Sequence, residues 1–259
     1  MAATIVATVG AANANSYETL VEAQAYFATR LALAGWDDAD DQNVLLIMGT
    51  RVLDAIARPF KQLVTPTSGA PYYRIRRTWT GLPASATQKL AWPRTGMFDM
   101  NGNSLDFVVT SASVASPSVI TTSRAHGRTS GDTVFIYGSD STPTIDGARV
   151  VTVISSTTFS IPVNVTGAGT IGSMTFIPQD LKDALSELAG QLGTSDRTLD
   201  NDVVVQGLTS VRAGSVSLTF KEMIEKHVLP DMVWDLMPVS WFTDELIVPA
   251  YQAQFDVVS

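Results

Sequence analysis

The side chains that most often catalyse reactions or bind metals are scarce in this sequence of 259 residues. Cysteine is absent, which excludes disulfides and thiolate metal sites. Of the two histidines, His227 follows a short helical pattern, and His126 lies in RAHGRTSGD with Ser130 and Asp132 close by. A catalytic histidine needs a nucleophile and an orienting acid within reach, and loops between strands commonly hold such residues in turns. We predict no catalytic residue, no metal and no cofactor, and we expect that the protein is not an enzyme.

An acidic run has the residue type that binds calcium, and it consists of Asp37, Asp38, Asp40 and Asp41. It lacks the loop spacing, the glycine and the final glutamate of an EF-hand. Carboxylates at the start of a helix stabilise the positive end of its dipole, so we predict that this run caps a helix. The sequence also contains no P-loop, no GxSxG or HExxH motif and no dinucleotide-binding glycine pattern.

Charge is unevenly distributed along the chain. The formal net charge is −8, yet residues 55–98 contain seven basic side chains and no acidic ones. Within this segment a cluster combines arginines with aromatic residues: Tyr72, Tyr73, Arg74, Arg76, Arg77 and Trp79. Such a cluster could contact an acidic protein surface, or it could stack bases and hold phosphates of a single strand. Because the pI is near 4.7, tight non-specific DNA binding is disfavoured, and we favour the protein contact.

Two further segments carry residue types that dominate interface energetics. In Trp92-Pro93-Arg94 the tryptophan could anchor a loop in the core, or the segment could contact a neighbouring chain. The tail from Trp241 is rich in large apolar side chains, and it could dock on a partner or fold back on its own helices. The predicted interface residues are Arg74, Arg76, Arg77, Trp92, Pro93, Arg94, Trp241, Phe242, Leu246, Ile247, Tyr251 and Phe255.

Helical spacing of apolar residues predicts three helices and one shorter helix. The first covers residues 16–33, with Asn15 or Ser16 as N-cap and Glu18 completing a capping box. The second opens at Asp40 or Asp41 and stops before Pro59. The third starts at Pro178 and ends at Gly193, and the short helix lies around residues 230–236. Residues 59–107 show no periodic pattern of apolar residues, and this lack of a pattern indicates irregular structure.

Between Val108 and Phe176 the chain becomes rich in Ser, Thr, Val and Gly. The runs SVITTS, DTVFIYG, ARVVTVI, TTFSIPV and SMTFI predict short strands of an antiparallel sandwich or barrel. Two more strands are predicted near residues 203–206 and 215–220. The predicted fold class is α+β: a helical domain formed by 1–107 and 178–259, interrupted by a small β-sandwich or barrel-like insertion at 108–177.

Outside the β block, a series of short segments resembles the phage head-to-tail adaptor family, whose members are sometimes labelled DnaT-like. The matching residues are Asn15-Ser16-Tyr17, Trp36, Gln88 to Gly96, Asp99, Gly102 and Ile177 through Ala189. In that family the D-x-x-G turn runs almost directly into the following helix, whereas here the whole β block intervenes.

The resemblance implies a helical structural protein of the virion, a connector in the neck that acts in genome packaging. Its copies would form a homo-oligomeric, dodecameric ring that binds the portal protein on one side and a tail terminator, stopper or other neck protein on the other. Duplex DNA would pass through the lumen without sequence-specific binding. The alternatives are a single-stranded DNA-binding module, or a minor tail or decoration protein with a glycan-binding β domain.

The sequence also predicts where such a protein is made. No apolar run approaches the roughly 18 residues that a membrane-spanning helix needs. The N-terminal segment MAATIVATVG lacks the basic start and the long apolar stretch of a signal peptide. We therefore expect synthesis in the host cytoplasm, no membrane contact and a final location in the virion.

Overall fold

The structure, a computed structural model, describes most of the chain. Side chains are described for residues 3–56, 78–195 and 229–243. Five further strands are described as backbone, at residues 61–64, 72–75, 210–213, 216–219 and 246–249.

Helices lie at both ends of the described chain. They are α1 (Leu20–Ala28), α2 (Ala34–Asp37), α3 (Gln42–Ala55), α4 (Gln179–Thr194) and α5 (Asp231–Asp235). The predicted helix at 16–33 is wrong in its bounds, because Thr19 rather than Asn15 is the N-cap of α1. The Thr19 side chain accepts from the N–H of Glu22, whose carboxylate accepts from the N–H of Thr19. The Asn15 side chain instead accepts a hydrogen bond from the backbone N–H of Val6.

The other helical predictions agree more closely with the structure. Asp41 is the N-cap of α3 and accepts from the N–H of Asn43, which confirms the predicted capping role of the acidic run. Helix α5 confirms the short helix predicted near 230–236. Helix α4 begins at Gln179, one residue after the predicted start, because Pro178 is its N-cap; Gly193, predicted to end the helix, lies inside its last turn.

Strands make up most of the middle of the chain. They are β1 (Lys61–Val64), β2 (Tyr72–Ile75), β3 (Leu82–Pro83), β4 (Arg94–Thr95), β5 (Phe107–Ala112), β6 (Ser118–Thr122), β7 (Thr133–Tyr137), β8 (Gly147–Val150), β9 (Thr152–Val153), β10 (Thr158–Ile161), β11 (Ser173–Thr175), β12 (Ser210–Ala213), β13 (Val216–Thr219) and β14 (Leu246–Pro249). The five runs predicted as strands between 108 and 176 all contain one, and β13 confirms the strand predicted near 215–220.

Seven of these strands form one antiparallel sheet in the order β8-β7-β11-β5-β6-β10-β9. Val151 alone separates β8 from β9, so a single stretch of chain supplies both edges of the sheet. The sheet is therefore almost closed into a barrel, which removes exposed edges. Alternate residues point inward, and the fully buried side chains include Ile120, Ile136, Phe159 and Met174.

The predicted fold class is wrong, because the chain is mostly β and not a helical adaptor domain with a small insertion. Residues 59–107, predicted as irregular, contain four strands, β1 to β4. Strands of two to four residues are too short to show an alternating pattern in the sequence. One pairing is also distant in sequence, since β14 pairs with β2 to complete the three-stranded sheet β1-β2-β14.

Helix α4 lies at the centre of the helical part, in contact with α1, α2, α3 and α5. Nine of its 16 residues are buried. Helix α2 approaches it at almost backbone distance, because glycine occupies the contact on both sides. A Cβ at Gly193 would overlap the carbonyl oxygen of Gly35, and a Cβ at Gly35 would overlap the carbonyl oxygen of Gly190. Only residues without a side chain allow this approach.

Two buried carboxylates join α4 to the start of the chain. Glu187, with no exposed surface, lies 2.7 Å from Arg30 and also accepts from the Tyr26 hydroxyl at 3.2 Å. Glu18 is 1% exposed, and its carboxylate accepts from the Ser186 hydroxyl at 2.7 Å. Glu187 therefore has a cationic partner, whereas Glu18 has a neutral hydroxyl. Burial raises the pKa of Glu18 to about 8, although the Ser186 hydrogen bond acts in the opposite direction.

We predict that Gly193→Ala destabilises the protein by about 3 kcal/mol, because the new methyl group pushes α2 away from α4. Alanine favours a helix over glycine by about 1 kcal/mol, so helix propensity alone would stabilise the variant. A loss of stability therefore reports the contact between α2 and α4. Urea unfolding measures the change. Gly49→Ala in α3 is the matched control: the one close contact of its Cβ is with the end of the Leu185 side chain, at 2.8 Å, and backbone atoms lie at 3.7 Å, so we expect a change within about 1 kcal/mol. Equal stability of the two variants would contradict the prediction.

We predict that the stability of the protein falls as the pH rises between the ordinary pKa of a glutamate, 4.5, and the folded pKa of Glu18, about 8. The folded state binds this proton more tightly than the unfolded state, so the stabilisation is complete below the lower pKa and lost through the higher one. The contribution of Glu18 to the slope is about 1.4 kcal/mol per pH unit. Glu18→Gln removes that contribution in urea unfolding across this range. The exposed Asp38→Asn is the control, and an unchanged slope in Glu18→Gln would sink the prediction.

Candidate functional site

The segment Trp92-Pro93-Arg94 lies inside the chain. All three residues are buried, and Trp92 and Pro93 are joined by a cis peptide bond. The Arg94 guanidinium donates to three backbone carbonyls, those of Thr80 at 2.6 Å, Gly81 at 2.8 Å and Ala91 at 3.1 Å. Burial lowers the pKa of Arg94. Its donors are thus used to hold the loop before β3 against the start of β4.

Four aromatic rings pack into one cluster that includes the beginning of the tail. Trp92 lies 5.7 Å from Trp79 and 4.8 Å from Trp241, and Phe242 stacks on Trp79 at 4.7 Å. The Trp241 indole donates to the Phe98 carbonyl at 2.7 Å. The tail therefore folds back on its own chain at this point, and Trp79 has no free face on which a base could stack. An additional contact of these residues with another chain stays a prediction.

The remaining predicted interface residues lie partly or wholly outside the described residues. Arg74 and the pair Leu246 and Ile247 are described as backbone only, and in the register of the sheet Arg74 is flanked by Gln62 and Ile247. Arg76, Arg77, Tyr251 and Phe255 lie outside the described part of the chain, as does His227.

His126 is a structural residue of the loop between β6 and β7. Its Nδ1 accepts from the backbone N–H of Arg128 at 3.0 Å, so its Nε2 carries the hydrogen and donates to the Ser155 carbonyl at 3.0 Å. The ring edge meets Phe159 at 5.3 Å. Ser130 in the same loop accepts from a backbone N–H of β9. Both ring nitrogens of His126 are therefore occupied by backbone groups, and the ring holds the loop that carries Arg124 and Arg128.

Within the described residues no group of three histidine, aspartate or glutamate side chains could hold a metal ion. The acidic run binds backbone N–H groups instead: Asp41 accepts from Ala3, and Asp37 accepts from Leu33. No helix in the described part of the chain is both long and apolar enough to cross a membrane.

A cleft of about 300 Å³ lies where the loop after β6 meets the start of α4. Two guanidinium groups line it, and each is stacked on a phenylalanine ring. The Cζ of Arg124 lies 3.8 Å from the centre of the Phe107 ring, and the Cζ of Arg128 lies 3.8 Å from that of Phe176. The two ring centres are 6.1 Å apart. A cation over an aromatic face is held in place without using its N–H groups.

Both arginines also have backbone partners that fix their positions. Arg124 donates to the carbonyls of Ser104 and Asp106, and Arg128 donates to the carbonyl of His126 at 3.3 Å. Asp132 lies 3.9 Å from the Arg128 guanidinium, which is a long ion pair. A guanidinium has five N–H donors, so each keeps donors for a ligand in the cleft.

The start of α4 and the turn at Asp99 also line the cleft. No side chain caps α4, so the first N–H groups of the helix are left for another acceptor. Hydrogen bonds from Asn103 lower the pKa of Asp99. Burial, and then the neighbouring Asp183 and Asp99, raise the pKa of Asp180. The cleft thus combines two cations and a helix N-terminus with two carboxylates, and its cations can bind an anionic group.

This cleft was not predicted from the sequence. Arg124 and Arg128 flank the histidine that we considered for catalysis, and their spacing of four residues was the available signal. The two phenylalanines are far apart in sequence, and they meet because β11 pairs with β5, with Met174 opposite Phe107. A strand register of this kind has no local sequence pattern.

Comparison with known proteins gives one family. Residues 1–159 match the family described as "Putative DnaT-like ssDNA binding protein". No curated protein matches the chain. The match includes α1 to α3, strands β1 to β9, and both arginines of the cleft.

This match overturns the assignment to a head-to-tail adaptor family, and with it the predicted dodecameric ring, the portal and stopper contacts, and the passive passage of duplex DNA. The segments behind that resemblance serve internal packing here: Trp36 stacks on Phe27 at 4.2 Å, and Trp92 lies in the aromatic cluster. Short packing segments specify a local fold and not a partner. Since the family match covers more than half of the chain, this protein belongs to the DnaT-like single-stranded DNA-binding protein family.

Proposed function

We propose that this protein binds single-stranded DNA, the alternative that the sequence analysis set second. The observation that carries the proposal is the family match over residues 1–159, a range that contains Arg124 and Arg128. The cleft supports it independently, because it combines guanidinium groups, aromatic rings and an uncapped helix start in one place. Guanidinium groups and helix N-termini bind the phosphates of nucleic acids, and the rings hold the two guanidinium groups in place.

The size and the charge of the cleft determine what it could hold. A volume of about 300 Å³ is at the lower end of ligand sites, and it suits one nucleotide of a strand better than a duplex. The net charge of −8 disfavours attraction of DNA to the surface as a whole. We therefore infer weak, salt-sensitive binding that depends on a few local cations. The absence of catalysis and the virion location stay predictions from the sequence.

We predict that Arg124→Ala with Arg128→Ala weakens binding of a fluorescent oligothymidine about tenfold, which is the loss of two phosphate contacts. Each such contact also contributes about −0.7 to the slope of log affinity against log salt, so the wild-type slope should shrink by about 1.4. Fluorescence anisotropy at several salt concentrations measures both. The exposed Arg51→Ala on α3 is the matched control, with no expected loss. A duplex of the same sequence should bind more weakly than the single strand.

Two results would contradict this assignment. If the wild-type protein bound neither single strands nor duplex at low salt, the proposed function would be wrong. If the double variant bound normally, while replacement of Arg74, Arg76 and Arg77 by alanine abolished binding, the function would stand but the site would be the segment that contains β2.

We predict that binding strengthens as the pH falls below neutrality, because a phosphate beside Asp180 raises the already raised pKa of this carboxyl further and binding takes up a proton. Asp180→Asn should tighten binding at neutral pH about twofold to fivefold, the size of a single exposed charge interaction, and flatten the pH dependence. Anisotropy titrations across this range measure both effects. The exposed Asp231→Asn on α5 is the control, and equal pH profiles of Asp180→Asn and the wild type would contradict the prediction.

A further inference from the structure

We propose that a base of the bound strand stacks on the outer face of the Arg124 guanidinium, whose inner face lies on the Phe107 ring. Phenylalanine, guanidinium and base would form three parallel layers, and the guanidinium edge would remain free for a phosphate. This inference rests on the proposed function and adds to it the group that recognises a base, as distinct from the strand's charge.

Most aromatic rings in the described part of the chain are not available to bases. Proteins that bind single strands commonly stack successive bases on exposed aromatic side chains. Here Trp36, Trp79, Trp92 and Trp241 are at most 4% exposed. Among the described residues, Phe98 is the one aromatic side chain in the exposed class, with 46% of its surface accessible. The described chain therefore offers bases one exposed ring, which does not line the cleft, and the planar cations of the cleft.

The geometry of Arg124 supports the stacking of a base on its guanidinium. Phe107 is 6% exposed and lies directly under the guanidinium, at 3.8 Å from ring centre to Cζ. The arginine itself is exposed, so the face away from the ring is open to the cleft. Bonds to the carbonyls of Ser104 and Asp106 hold the group in one orientation. A flat cation fixed in this way is a platform on which a base stacks, as guanidinium planes do in single-stranded RNA recognition.

The two arginines of the cleft differ in their surroundings, and we assign them different roles. The Arg128 side chain is 24% exposed, and Asp132 and the His126 carbonyl surround its guanidinium. We assign to it the role of a point charge for phosphate, whereas Arg124 supplies a plane. Lysine keeps the charge of an arginine and loses the plane. Exchange to lysine therefore distinguishes the roles at the two positions.

The experiment compares two oligonucleotides of equal length and phosphate number, one of thymidines and one of abasic sites, by fluorescence anisotropy on the full-length protein. We expect the wild type to bind the thymidine strand about tenfold more tightly, which is the value of roughly one stacked base. Arg124→Lys should abolish this preference and leave the salt dependence unchanged. Arg128→Lys and the control Arg51→Lys should retain the preference. Phe107→Leu, which keeps an apolar side chain under the guanidinium, should reduce it.

Each outcome bears on the inference. Loss of the preference in Arg124→Lys with a folded circular dichroism spectrum supports it. Retention of the preference in Arg124→Lys would overturn it, and loss of the preference in Phe98→Ala alone would overturn it and assign the base to the exposed ring. A wild type that binds both strands equally would leave single-strand binding intact and refute the stacking role. A wild type that binds neither would overturn the proposed function and this inference together.

Discussion

The burial of helix α4 is the constraint on which the rest of the structure depends. More than half of its residues are buried, and it contacts four other helices. Glycines at 35, 190 and 193 let α2 approach it at backbone distance, and Glu187 is neutralised by Arg30. A helix enclosed in this way can neither rotate nor shift without opening a cavity or stranding a buried charge. Its first turn is therefore a fixed wall for whatever lies beside it.

The cleft is a consequence of this fixed position. The barrel brings Phe107 and Phe176 together through the pairing of β5 with β11, and His126 holds the loop that places an arginine over each ring. The start of α4 closes the other side. Loops on a rigid scaffold commonly carry binding groups, since the scaffold bears the cost of ordering them. At this cleft, cations, rings and uncapped N–H groups converge between the start of α4 and the barrel.

An acidic protein of this kind can bind a polyanion only through a local arrangement. The net charge of the chain repels DNA, and Asp99 and Asp180 line the cleft itself. Cations backed by aromatic rings offset part of this repulsion, because the rings stabilise the cation and orient its edge. The weak, salt- and pH-dependent binding that we propose is consistent with this balance, in contrast to binding by a uniformly basic surface.

The sequence alone determined the local elements: the five runs of the β block, the Asp41 cap of α3, helix α4 and the short α5, because periodicity and capping are properties of neighbouring residues. It could not determine the fold class, since β1 to β4 are too short to show a pattern and β2 needs a partner from the tail. The candidate site was equally out of reach of the sequence. Tertiary structure decided that Trp92 and Arg94 pack inside, and that Arg124 and Arg128 meet rings brought together by strand register, because such contacts join residues distant along the chain.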